Sequence, residues 1–138
     1  MNSVAVHTAI MTVVNQIVLD HAALYPLVVE VNNKATVDQV DQTSPYLKVE
    51  IRLLGGDQLD LADHPKVEQW GQIWLTAICS EGDGTLKAKA LLDFITPYFE
   101  LKYLGGITCR AVTSATGKAV KGLWHEPAIV NFYYHRTT

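Results

Sequence analysis

A chain of 138 residues is long enough to bury a sizeable core within one domain spanning 1–138. With 49% of its residues hydrophobic and only 18% charged, its composition is not that of a disordered chain. A formal net charge of −3 argues against a dedicated nucleic-acid binder, in which basic residues are in surplus.

The first segment, Ser3 to about Ala23, reads as a helix. Val6, Ile10, Val13, Val14 and Ile17 recur on one stripe, Asn15, Gln16 and Asp20 lie off it, and Ser3 is the expected cap. Its many valines fit a helix poorly, but its length exceeds that of an ordinary strand. No basic region precedes it, and His7, Thr8, Thr12, Asn15 and Gln16 interrupt its apolar run. We therefore expect neither a secretory signal nor a membrane span, and synthesis in the cytoplasm. Pro26 stops the helix, and Leu27 to Val31 reads as a short strand ending in an Asn32-Asn33 turn. Residues 34–44 are polar and aperiodic, as in an exposed loop.

From Tyr46 to Leu54 the alternation is clean. Leu47, Val49, Ile51 and Leu53 form one face and Lys48, Glu50 and Arg52 the other, as in an antiparallel sheet wet on one side. Gly55-Gly56 is expected to end this strand, and residues 57–66 to form a loop. Trp70 to Cys79 reads as a second strand. Ile73, Leu75, Ala77 and Cys79 share one face; Trp70, Gln72, Trp74, Thr76 and Ile78 share the other. After a turn at residues 80–85 the period changes from two to about 3.6. Ala88, Leu91, Leu92, Ile95 and Phe99 then mark the apolar stripe of a second helix, capped by Asp83 or Thr85 and bent or ended by Pro97 near Thr96. Gly105-Gly106 is the next break. Ile107 to Thr113 reads as a strand, residues 114–117 as a turn, and Val120 to Tyr134 as a last extended segment. Pro127 in that segment implies a sheet edge or a bulge. The expected fold is α+β: a mostly antiparallel sheet with two main helices packed on it, in the order α-β-β-β-α-β-β.

Chemistry-bearing patterns are sparse. Asp57, Asp60, Asp63 and His64 lack the spacing of a calcium loop and read as a solvated loop. Gly82-Asp83-Gly84-Thr85 is neither a phosphate loop nor a dinucleotide fingerprint, and reads as a turn. Cys79 and Cys109 read as buried thiols; a disulfide would require neighbouring strands. None of the five histidines stands in a catalytic or metal motif, and adjacent His125 and Glu126 would point to opposite faces of a strand. No catalytic residue, cofactor or metal is expected. The feature left over is Trp70 and Trp74 on the face away from Ile73 and Leu75. If solvent reached that face, two indoles would be exposed, and Trp is enriched at the centres of interfaces. The alternative is that the second helix or the C-terminal segment covers them.

In its order of parts the chain resembles the tail terminator (tail completion, minor tail) proteins of long-tailed bacteriophages. The likeness rests on Tyr25-Pro26 running into Val31-Asn32-Asn33, and on the strand Tyr46-Leu47-Lys48-Val49. It continues through Gly71-Gln72-Ile73-Trp74-Leu75, the Gly82-Asp83-Gly84 turn, and the helix ending in Tyr98-Phe99. Gly106-Ile107-Thr108 and Trp124 with Pro127-Ala128-Ile129-Val130 complete it. The resemblance implies a small domain that assembles as a ring, typically six-fold, at the end of the tail tube. Such a ring stops tube polymerisation and offers a surface for head joining. Implied partners are copies of itself, the tail-tube protein and a head-completion or connector protein. No membrane or direct nucleic-acid recognition is implied, and the expected location is the host cytoplasm during assembly and then the virion tail. No catalytic residues come with the resemblance. From the residues themselves, the candidate partner surface is Trp70 and Trp74 with Tyr46, Lys48, Glu50 and Arg52. The rival expectation is a small soluble enzyme or ligand-binding domain with a pocket between sheet and helices.

Overall fold

The structure, a computed structural model, describes residues 1–31, 44–59, 65–80 and 84–137. Helix α1 spans Ser3–His21 and buries Val6, Ile10, Val14, Ile17 and His21 along one stripe. The cap is Asn2, not Ser3: Ala5 N donates to Asn2 Oδ1 at 2.9 Å, which satisfies one of the free amides of the first turn. By length and composition α1 is apolar enough to cross a membrane, but here its stripe belongs to the protein core.

Helix α2 spans Gly84–Ile95, and a 3₁₀ turn at Thr96–Tyr98 follows it. The change of helix type falls at Pro97, which has no amide to continue the α-helical ladder. Thr85 lies inside the first turn and so is not the N-cap; Asp83 lies outside the described residues. The expected stripe of Ala88, Leu91, Leu92, Ile95 and Phe99 is buried throughout.

Among the described residues seven strands form one sheet: β1 Val29–Val31, β2 Tyr46–Gln58, β3 Lys66–Ser80, β4 Tyr103–Leu104, β5 Ile107–Ser114, β6 Lys118–Val120 and β7 Leu123–Thr137. Their spatial order is β1-β2-β3-β7-β5-β4, with β6 also paired to β7. Only β1 with β2 is parallel; the other pairings are antiparallel. The fold is thus α+β, with the expected order of main elements and two short strands, β4 and β6, added.

Both helices lie on one face of the sheet. Their stripes form a single buried cluster with Leu47 and Val49 of β2, Ile73, Leu75, Ala77 and Cys79 of β3, and Ala128, Val130, Phe132 and Tyr134 of β7. Each large aliphatic side chain fully buried there contributes roughly 1.5–3 kcal/mol. Cys79 and Cys109 are both buried and not disulfide-bonded, on strands separated by β7. Burial pushes the Cys109 thiol up to about 11.

Several features differ from expectation, among them the start of β3, which lies at Lys66 rather than Trp70 and shortens the expected loop 57–66. Strand β2 does not stop at Gly55-Gly56; the register with β3 shifts between Leu53 and Gly56 and pairing resumes to Gln58. The glycines serve a bulge rather than a terminus, since a Cβ on Gly56 would lie 2.9 Å from the Glu68 carbonyl. The last segment is a hairpin, β6 turning into β7 through Lys121-Gly122, both at positive φ (51° and 78°). A two-residue turn with positive φ at both positions matches the twist of its strands. Finally, Pro127 sits in a central strand. It pairs with Thr76 of β3 on one side, while on the other it falls between the ends of β5 and β6. Its carbonyl accepts from Ala115 N on that second side. The missing amide therefore faces the gap between two short partners, where no ladder bond is lost.

Gly71 locks the centre of the sheet. It pairs with Phe132, and a Cβ at Gly71 would stand 2.3 Å from Phe132 Cζ and 2.8 Å from the Arg52 carbonyl. Phe132 is 1% exposed and has nowhere to retreat. Gly71→Ala is expected to destabilise the fold by about 1–3 kcal/mol through overpacking, read as a lower denaturant midpoint at unchanged slope.

Candidate functional site

The opposite face of the sheet carries no helix among the described residues. Strands β2, β3 and β7 present it in rows fixed by their register: Glu50, Trp74 and Ile129; Arg52, Gln72 and Asn131; then Trp70 beside Tyr133. Trp70 and Trp74 are half-buried and lie outside the buried cluster. Neither the second helix nor the C-terminal segment lies over them. Strand β7 runs beside them, and Arg52 lies over the Trp74 ring.

Polar contacts hold this face in one arrangement. Arg52 Cζ lies 4.2 Å from the centre of the Trp74 ring, and Arg52 Nη2 donates to Glu50 Oε2 at 3.0 Å. That hydrogen bond, ahead of other effects, holds the Glu50 carboxyl below the usual carboxylate range. Trp74 Nε1 donates to Gln72 Oε1 at 3.0 Å, and Gln72 Nε2 donates to Asn131 Oδ1 at 3.1 Å. Arg110 stacks over Tyr133 at 5.1 Å, which extends the pattern of a guanidinium on an aromatic ring to β5. A shallow hollow of about 330 Å³ lies among Leu54, Trp70, Arg110 and Asn131. A rigid aromatic ring whose polar edge is already paired, as in Trp74, loses little entropy when a partner covers it.

Of the residues expected on this patch, the structure brings Trp70, Trp74, Glu50 and Arg52 together. Lys48 is one pair further along β2, opposite Thr76. Tyr46 departs from expectation: it is 6% exposed, opposite Ile78, itself 1% exposed, and does not belong to an open surface. Alternation assigns a side chain to a face; the neighbours on that face decide its exposure. Burial, then the charge of Glu30, raises the Tyr46 phenol pKa.

His125 and Glu126 do point to opposite faces. His125 lies on the bare face, paired with Ile78 of β3 and Lys118 of β6. Burial first, then the charges of Lys48 and Lys118, hold its imidazole below the ordinary range. Glu126 lies on the helix-bearing face at 8% exposure and accepts from Trp124 Nε1 at 2.8 Å. Glu126 and Trp124 line an open groove of about 650 Å³ between α2 and the strands β5 to β7; His125 does not. Nothing in the sequence pattern marked this groove, because its wall and floor are far apart along the chain. His21 is 2% exposed, with Nδ1 3.0 Å from the Tyr25 carbonyl and its ring edge-on to Phe94, so it packs as part of the core. Asp60, Asp63, His64, Gly82 and Asp83 lie outside the described residues. Among those described, no group of three or more His, Cys, Asp or Glu could hold a metal ion.

No family model matches the sequence, and a search of curated proteins finds no match. Several solved chains match, and one of them is similar over 93% of this chain and 94% of its own, with a TM-score of 0.59 at 17% identity. At that identity the likeness is one of fold alone.

The depressed His125 pKa carries a sign. The unfolded chain binds this proton more readily than the folded protein, so His125 favours folding above the unfolded imidazole value of about 6.5 and loses that contribution as pH falls through it. Melting temperature is expected to drop between pH 7.5 and pH 5, and His125→Gln to make that drop smaller. Equal drops in both proteins would contradict the assignment.

Proposed function

We propose that this protein is a structural component of a bacteriophage or prophage tail, a terminator that assembles as a ring on the end of the tail tube. The ring stops tube growth and presents part of the surface that joins head to tail. The observation that carries this reading is the bare sheet face, where Trp74 is held by Arg52 and Gln72, Trp70 lies beside Tyr133, and no helix among the described residues lies over them. A large aromatic surface of this kind fits a protein partner. A closed ring needs two different patches on one subunit, and a sheet with helices on one side only offers two dissimilar faces. The chain's order of parts, which resembles tail terminators, supports the same role. The partners are copies of itself, the tail-tube protein and a head-completion or connector protein. The work is done by shape and contact, with no catalytic residue assigned.

A second reading is favoured by one observation. The groove of about 650 Å³ between α2 and the sheet is large enough for a small molecule, as in a ligand-binding domain or a small enzyme. Assembly separates the two readings, because a ring places its energetics on the tryptophan face and a ligand-binding monomer does not.

Light scattering of the native chain, alone and with purified tail-tube protein, is expected to show a ring or a concentration-dependent rise in mass. Trp70→Ala combined with Trp74→Ala is expected to keep native circular dichroism, since both rings lie outside the helix-covered core, and to weaken assembly at least tenfold. A double variant that assembles like the native chain would remove this surface from the interface. A native chain that stays monomeric with and without tube protein, and does not cap growing tubes, would remove the role.

A further inference from the structure

The groove beside α2 has a feature that the tail reading does not use. Glu126 is 8% exposed, and one of its oxygens, Oε2, is committed to Trp124 Nε1. Its other oxygen, Oε1, has no hydrogen-bond donor among the described residues, and it is not sealed from solvent. No cation pairs with the carboxylate among the described residues, and Lys89, on the groove wall, forms no ion pair there either. A carboxylate offers about four acceptor positions, and with one protein donor spent on Oε2 the remaining positions are open to a cationic donor that enters the groove.

Its neighbours define what would satisfy it. Trp124 lines the same groove with its N–H already spent on Glu126, so its ring is what it has left to offer. The other ionisable side chains lining the groove are Lys89, Asp93 and Glu100, which with Glu126 give an excess of negative charge. The pair is also held in place. A Cβ on Gly117 would come within 2.4 Å of Glu126 Oε2 and 2.7 Å of Trp124 Cζ2, so the turn between β5 and β6 closes directly onto it. A fixed, partly satisfied carboxylate beside an indole, in an acidic groove open to solvent, suits a flat cation that donates several hydrogen bonds and stacks on an aromatic ring. A guanidinium does both, whereas an ammonium is a compact, strongly hydrated charge.

The geometry points to a guanidinium-binding site in this groove, with Glu126 Oε1 accepting from the ligand and Trp124 packing against it. The cation is either an arginine side chain of another protein or a free guanidino compound. The site is separate from the tryptophan face and stands whether or not the chain forms a ring.

The test is a titration of ¹⁵N-labelled protein followed at its three indole N–H resonances. The probes are ethylguanidinium, the capped peptide acetyl-Gly-Arg-Gly-amide and its neutral counterpart acetyl-Gly-Gln-Gly-amide. Saturable shifts of the Trp124 resonance with the two cations, with Trp70 and Trp74 unmoved and the Gln peptide silent, are the expected result. Tighter binding of the Arg peptide than of ethylguanidinium assigns the site to a partner's arginine; equal or weaker binding of the peptide assigns it to a free guanidino compound. Glu126→Gln, nearly the same in shape, is expected to weaken binding about tenfold. Should that variant fail to give a folded spectrum, Lys89→Glu on exposed α2 surface is expected to tighten binding several-fold. No saturable shift in the native protein, an equal response to the Gln peptide, or unchanged affinity in the folded variants would overturn the assignment.

Discussion

The fold depends on the register between β3 and β7. The two strands pair continuously from Lys66 with Thr137 to Ser80 with Leu123. Because side chains alternate with a period of two, that register sends Ile73, Leu75, Ala77, Val130 and Phe132 to the helices and leaves Trp70, Trp74, Ile129 and Tyr133 on the other side. A slip of one residue would exchange these sets and strip the helices of their apolar floor. Gly71 makes the register specific, since it is the position in β3 where the Phe132 ring finds room. Hydrophobic burial drives the sheet and helices together, while this steric match selects one alignment among those that burial alone would accept.

Placing both helices on one side has a consequence for the surface. α1 and α2 supply enough apolar stripe to cover one face of the sheet, and among the described residues no helix lies on the second face, where side chains of neighbouring strands pair with one another. The stack of Arg52 on Trp74 and the amide chain from Trp74 through Gln72 to Asn131 make that face orderly without covering it. A face organised in this way is suited to contact with another protein. The helix-bearing side is different in kind: where α2 parts from β5 and β6 it leaves an acidic groove with a carboxylate at its base. One subunit therefore presents an aromatic surface on one side and an anionic recess on the other.

Much of the fold was legible in the chain. The stripe from Ala88 to Phe99, the alternation from Leu47 to Ile51 and the inward set Ile73 to Cys79 all rest on periodicity, a local property; the alternation does not carry to Leu53, which is exposed. The halt of α2 at Pro97 rests on a missing amide, which is local too. Less legible were features where one residue serves an unusual backbone. Lys121 gives no turn signal, yet it holds positive φ ahead of Gly122 because the short hairpin demands it. Gly55-Gly56 reads as a terminus but acts as a bulge, and Pro127 reads as an edge residue but sits opposite a gap between two short strands. In each case a partner strand decided the outcome.

By itself the sequence determined which segments become helix or strand, which side of each is apolar, and that the two tryptophans leave the core side of β3. Those properties follow from the spacing of side chains along the backbone, and spacing is fully present in one dimension. Tertiary structure alone decided that Tyr46 is buried while Trp70 and Trp74 keep partial access to solvent. It also decided that Cys79 and Cys109 lie on strands too far apart to bond, and that Glu126 and Trp124 meet α2 across a groove. The physical reason is common to all three. Exposure, pairing and concavity are set by residues distant in the chain, and the register of the sheet brings those residues together.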